Sequence, residues 1–279
     1  MTQVVACIDG SAAAMTVCDY AAWAAKRLGA PLTLLHVLDE ARFPSPANLS
    51  GNIGLGAITN LQKELSALDE QRNHLALEQG REMLDAAKAR ANADGIAQPT
   101  LRQRHGALVS TLTDIEDDTR LLVIGKQGEA HSDNEALVGD NVERVVRSVH
   151  RPVLITTGEY TPPRTIMLAF DGSPTMDKAV DMIAQSPLFR GLPCHLVKVG
   201  EENEALQNAA KRLRESGLNV VVAAVEGEVE QALHTYQNRN GIDLVVMGAY
   251  GHSRIREFFV GSTTNSLLRG ATVPHLVLR

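Results

Sequence analysis

The chain alternates two kinds of segment. Short, nearly unbroken apolar runs are separated by longer stretches whose apolar residues recur at helical spacing. Val4-Val5-Ala6-Cys7-Ile8, Leu32-Thr33-Leu34-Leu35-His36-Val37, Leu121-Leu122-Val123-Ile124 and Val153-Leu154-Ile155 are runs of the first kind. Strands so continuous in apolar side chains are buried on both faces, as in parallel sheets covered by helices. The alanine-rich stretch Ala12 to Leu28 predicts a first helix. Leu61, Leu65, Leu68, Leu75 and Met83 predict a second, from Leu61 to Ala93, and Leu101 to His105 a third strand.

The pattern then repeats. Val4 to Ser11 returns as Ile166 to Ser173, and Leu32 to Val37 as Cys194 to Val199. Leu121 to Gly128 returns as Leu244 to Gly251, and Arg151 to Ile155 as Val273 to Val277. Helices are predicted over Thr175 to Ala184 and Glu204 to Ser216, and a strand over Val220 to Val225. Matches in the same order mean a duplicated unit, with too long a period for a solenoid. The expected units are 1–157 and 164–279, joined by 158–163, where Gly158 and Pro162-Pro163 punctuate a polar stretch. Each reads β-α-β-α-β-α-β-α-β, an α/β unit with a parallel, doubly wound sheet. Ligands of such sheets bind outside the carboxyl ends of the strands.

Composition narrows the function. The net charge of −6 argues against a nucleic-acid partner, since phosphate neutralisation needs clustered Lys and Arg. No apolar run approaches a membrane span, and MTQVVACIDG lacks the basic start of a secretory leader, so the expected location is cytoplasmic. Cys7, Cys18 and Cys194 show no CxxC spacing and read as core hydrophobes. Trp23 reads as packing. The histidines show neither HxxxH nor HExxH spacing, so no metal site is supported.

The chemistry concentrates at the strand ends of the second copy. After the run Leu244 to Met247 come Gly248-Ala249-Tyr250-Gly251, nine further residues, and Gly261-Ser262-Thr263-Thr264 opening the last helix. Glycines let backbone pass close to a ligand, and a helix N-terminus attracts anions through free N–H groups and its dipole. The hydroxyls of Ser262, Thr263 and Thr264 add donors, and His252, Arg254 and Arg256 add positive charge. This is neither a Walker A loop nor GxGxxG. Read alone, Gly261-Ser262 is equally a helix N-cap. Ala169-Phe170-Asp171-Gly172-Ser173 closes the first strand of this copy, where Asp or Ser can cap the following helix.

Gly-2x-Gly-9x-Gly-Ser after a fourth strand, with Asp-Gly-Ser after the first, resembles the universal stress protein family, over nearly the whole chain and twice. The resemblance implies two five-stranded sheets of order 3-2-1-4-5 and a bound ATP or ADP, with or without Mg2+. It implies ribose and phosphates against Gly248, Gly251, Gly261, Ser262 and Thr263. It implies adenine near Asp171 and Val199, with Ala169, Ser173 and Met247 at the same strand ends. Family units pair through the last strand, so the copies are expected to form a pseudo-dimer within one chain, with a homodimer of chains also open.

The first copy departs from this pattern. Ten residues, not nine, separate Gly128 from Gly139, and Asp140-Asn141 replaces Ser-Thr. The intervening loop carries Glu129, Asp133 and Glu135 and no Lys or Arg. Asp140 can still cap a helix, but carboxylates repel a triphosphate, so this copy is expected not to bind ATP, with a divalent-metal-assisted nucleotide site or an uncharged ligand as the alternatives. The Pro-, Ser- and Gly-containing stretch Phe43 to Gly56 reads as a long loop. Three functions compete: a regulatory ATP binder, which the intact second motif favours; a slow ATPase or nucleotidyl-transfer enzyme; and a nucleotide-free interaction protein. The enzyme class is expected to show Ser-Gly-Gly-x-Asp-Ser after its first strand, which Ala169-Phe170-Asp171-Gly172-Ser173 lacks.

Overall fold

The computed structural model describes residues 2–38, 55–128, 139–249 and 262–279. The first half runs β1 (Gln3–Cys7), α1 (Ala14–Leu28), β2 (Leu32–Leu38), α2 (Leu55–Ala93), β3 (Thr100–His105), α3 (Leu108–Asp114), β4 (Thr119–Gly125), α4 (Asp140–Ser148) and β5 (Val153–Thr156). The second half repeats it as β6 (Ile166–Ala169), α5 (Pro174–Gln185), β7 (Cys194–Val199), α6 (Glu204–Glu215), β8 (Val220–Val225), α7 (Val229–Asn240), β9 (Leu244–Gly248), α8 (Ser262–Arg269) and β10 (His275–Leu278). Of the expected loop Phe43 to Gly56, Leu55 and Gly56 belong to α2 and the rest lies outside the described residues.

Each half has the expected order, third-second-first-fourth-fifth, but the two sheets are not separate. They join into one ten-stranded sheet, β3-β2-β1-β4-β5-β10-β9-β6-β7-β8. The seam is antiparallel, with Ile155 opposite His275, Leu154 opposite Leu276 and Val153 opposite Val277. All other pairings are parallel. The reason for the merger is that β5 and β10 are fully buried apolar strands. Left as edges, they would expose unpaired backbone beside apolar side chains. The antiparallel seam also turns the strand ends of the two halves toward opposite rims of the sheet.

Two apolar layers flank the sheet. One packs Val4, Ala6, Leu168 and Val246 under α1, α2, α5 and α6. The other packs Val5, Leu122, Met167 and Val245 under α3, α4, α7 and α8. Alternation along each strand assigns side chains to one layer or the other. Cys18 and Cys194 are buried, Cys7 is half-buried, and burial pushes all three thiols up to about 12, so they serve as packing groups. Trp23 lies in the first layer with the Arg27 guanidinium 5.9 Å over its ring. Arg27 continues into the second half, donating to Leu188 O at 2.6 Å and to Arg190 O.

Candidate functional site

The second-half site begins with the turn that ends β6. Asp171 Oδ1 accepts the Ser173 N–H at 2.8 Å, and Ser173 Oγ accepts the Met176 N–H at 3.3 Å. Ser173 therefore caps α5, with Pro174 at the first helical position. Gly172 has φ +74°, a conformation that side chains disfavour, so the glycine is needed to close this turn.

These bonds leave Asp171 beside a cleft of about 480 Å3, within the usual range for a small-molecule site. Its floor is the carboxyl ends of β6, β7 and β9, at Ala169, Val199, Met247 and Gly248. Val229 and Leu233 of α7 form one wall, and Thr264 and Leu267 of α8 another. Among the described residues the lining is apolar around one carboxylate and one ammonium, Asp171 and Lys198. Lys198 Nζ donates to Glu201 O at 2.5 Å, which holds it at the rim.

Of the residues named from sequence, Ala169, Asp171, Val199, Met247, Gly248 and Thr264 meet at this cleft. Ser262 and Thr263 open α8. Gly251, His252, Arg254 and Gly261 lie outside the described residues. Two expectations change. Ser173 does not line the cleft, because its hydroxyl is committed to capping α5. The Thr264 hydroxyl points to Gly248 O at 3.2 Å and Ala249 O at 3.3 Å, so it fastens α8 to β9 and is no spare phosphate donor. Sequence reading missed Phe170, Val197, Lys198, Val229, Leu233 and Leu267. Two-residue alternation from Val199 could have found Val197, whereas α7 reaches the cleft only through the fold.

At the corresponding turn of the first half the Asp9 carboxylate has close neighbours. Asp9 Oδ1 accepts both the Ser11 N–H, at 3.0 Å, and the Ser11 hydroxyl. Gly128 lies so close that a Cβ there would sit 3.2 Å from Asp9 Oδ2. Gly139 N–H donates to Lys126 O at 3.0 Å, folding the glycine segment onto itself. Gly139, not Asp140, is the N-cap of α4; Asp140 is its first residue, since the backbone turns extended at Gly139. On β2, His36 Nδ1–H donates to Ile8 O at 2.8 Å, and Gly80 of α2 presses against the His36 ring. Glu129, Asp133 and Glu135 lie outside the described residues. Among the described residues no three His, Cys, Asp or Glu side chains converge as a metal site, and no helix is long and apolar enough to cross a membrane.

The profile described as Universal stress protein family matches residues 1–157 and 195–279. Its second match omits β6 and Asp171, which the sheet nonetheless places as β1 and Asp9 are placed. The chain is 35% identical over 287 aligned positions to Universal stress protein Slr1230 of Synechocystis sp., covering 100% of both chains. It is 24% identical to a universal stress protein of Mycolicibacterium smegmatis, over 98% of this chain and 95% of that one. The crystal structure of a universal stress protein from Archaeoglobus fulgidus has the same fold: TM-score 0.72 at 19% identity, over 99% of this chain and 98% of that one.

Proposed function

The chain belongs to the universal stress protein family, and from that premise we propose that its second half holds one adenine nucleotide, ATP or ADP, as a regulatory ligand. The observation that carries this reading is the cleft. It joins an apolar floor suited to a planar base with a carboxylate at one end and the first turn of a helix at the other. The base lies against Val199 and Met247 near Asp171. Ribose and phosphates run along Gly248 toward α8, whose first-turn N–H groups lack intrahelical partners and face the anion. A Mg2+ ion would ride on the phosphates, as that ion prefers. Regulation is favoured over turnover because helix-end binding holds a triphosphate without placing an attacking water. The first half is given no such role, since Asp140-Asn141 stand in place of Ser-Thr and the residues between Gly128 and Gly139 include Glu129, Asp133 and Glu135 with no Lys or Arg. The proposal includes a cytoplasmic location, which cell fractionation tests.

Calorimetric titration of the whole chain with ATP tests the site. One nucleotide per chain is expected. Gly261→Asp puts a carboxylate where the phosphates meet α8 and weakens binding on the order of 100-fold or more, with an unchanged circular dichroism spectrum. Two equivalent sites would overturn the asymmetry, and unaltered binding by the variant would overturn the phosphate placement. No binding by the unaltered chain would overturn the proposal itself.

A further inference from the structure

The first-half glycine segment retains a lysine with a different task. Lys126 N–H donates to Thr156 O at 2.8 Å, as Ala249 N–H donates to Leu278 O at 2.7 Å, so the two residues hold equivalent places. Ala249 stops there. The buried Lys126 side chain continues across the seam, where Nζ donates to Arg269 O at 2.7 Å and Ala271 O at 3.4 Å. Thr157 Oγ1 donates to the same Ala271 carbonyl at 3.4 Å. Arg269 is the last residue of α8. Carbonyls at a helix C-terminus lack intrahelical partners and carry the negative end of the helix dipole, so an ammonium there satisfies both. His275, one of the groups near this ammonium, is pushed down to about 4, chiefly by burial, so it adds no competing charge at neutral pH.

We propose that Lys126 is a positioning residue through which the first half sets the nucleotide affinity of the second, by holding the phosphate-facing helix from its far end. The proposal rests on the nucleotide reading above. Helix α8 has 8 residues and spans roughly 12 Å. Thr264 fastens its first turn to β9, and Lys126 fastens its last turn to the first half. N–H groups at a helix start favour an anion only if the helix is already in place, so loosening either end lowers affinity. A bond to the equivalent carbonyl exists at the other helix, where Arg279 of the second half, the counterpart of Thr157, donates to Arg147 O near the end of α4. That bond secures the helix that follows the altered glycine segment. It therefore supplies an internal control: a seam-crossing cation on the helix without a nucleotide. By linkage, a ligand that steadies α8 also steadies the Lys126 bond, so occupancy is felt at Gly125 to Gly128.

The test compares Lys126→Met, Lys126→Arg and Arg279→Met in the whole chain, by ATP titration and by amide hydrogen exchange without nucleotide. Lys126→Met is expected to weaken ATP binding about 5-fold, the scale of a partly buried cation at a helix end. It also speeds exchange across α8. Lys126→Arg keeps a cation and stays within about 2-fold, and Arg279→Met leaves affinity unchanged while speeding exchange in α4. Unchanged affinity in Lys126→Met overturns the proposal. So does an equal loss in Arg279→Met, which would mean general loosening of the seam. If Lys126→Met does not fold, Lys126→Gln, which keeps a donor without the charge, is read by the same criteria. If the unaltered chain binds no ATP, the nucleotide reading fails by itself, and exchange decides the latch. Faster exchange in α8 with Lys126→Met but not with Arg279→Met then keeps the latch, and equal exchange ends it.

Discussion

The helix pairs α1–α2 and α5–α6 carry the same ion pair in different surroundings. Asp19 lies ten residues after Asp9, and Asp181 ten after Asp171. Arg90 grips Asp19 with two bonds, at 2.6 and 2.9 Å, and Arg212 meets Asp181 at 2.9 Å and also reaches Asp177. Yet the Asp19 side chain is 4% exposed, whereas those of Asp181 and Asp177 are 55% and 63% exposed. The segment that follows β5 packs beside α1 in the first half. Tyr160 packs edge-on against Tyr20 with ring centroids 4.8 Å apart, and Tyr20 hydroxyl donates to Thr161 O at 3.2 Å. Burial, with the neighbouring Asp19 carboxylate, also raises Asp94 above its usual range. Duplication thus preserved the charges, and their different burial decided what they are worth. A charge sealed from water needs its partner, whereas an exposed one is solvated without it.

The strongest way to sharpen this contrast uses the seam, where equivalent strand positions hold Val153 in β5 and His275 in β10. His275 is buried, its Nδ1–H donating to Val273 O at 2.8 Å, and burial lowers its pKa from 6.5 to about 4. The unfolded chain therefore takes up a proton below pH 6.5 that the folded chain refuses. Stability is full above that pH and falls through the window down to about pH 4, by about 3 kcal/mol at most. Denaturant unfolding of the native chain and His275→Val at pH 7 and pH 4.5 measures this. The variant should lose less stability on acidification, and equal losses would remove His275 as the cause.

A smaller effect tests the ion pairs themselves. Arg90→Met strands a buried carboxylate and should cost roughly 2 kcal/mol, less than for a fully enclosed pair because the Arg90 side chain is half exposed. Arg212→Met should cost less than about 1 kcal/mol. Equal costs in urea unfolding would break the link between burial and the worth of the pair.

The smallest effect concerns the two Asp-Gly-Ser turns. Ser173→Ala removes a helix cap and should cost about 1 kcal/mol. Ser11→Ala should cost less, because α1 starts after Ala13 with no side-chain cap. A larger loss at Ser11, read from the shift in Tm, would reverse the ranking.

Much of this was legible before any coordinates. The continuous apolar runs marked strands covered on both faces, and the predicted strand from Val220 to Val225 has those bounds in the fold. The helix predicted from Ala12 starts at Ala14, with Ala13 at its N-cap position and no side-chain capping bond. The glycine spacing pointed to the strand ends where the cleft lies, and the strand residues Ala169, Val199, Met247 and Gly248 meet there. The Thr264 hydroxyl stands near a helix start, where a hydroxyl serves a ligand or a neighbouring carbonyl equally well. Only the approach of β9 tells which.

Sequence by itself determined what repeats: the period of apolar positions, the turn residues and the glycine spacing, all set by neighbours a few residues apart. Tertiary structure decided what joins the repeats. It made one sheet of two by closing β5 on β10, set Tyr160 edge-on against Tyr20, and carried the Lys126 ammonium to a helix end 143 residues away. Such features depend on which distant surfaces meet. Local periodicity records only that a face is apolar, not what covers it.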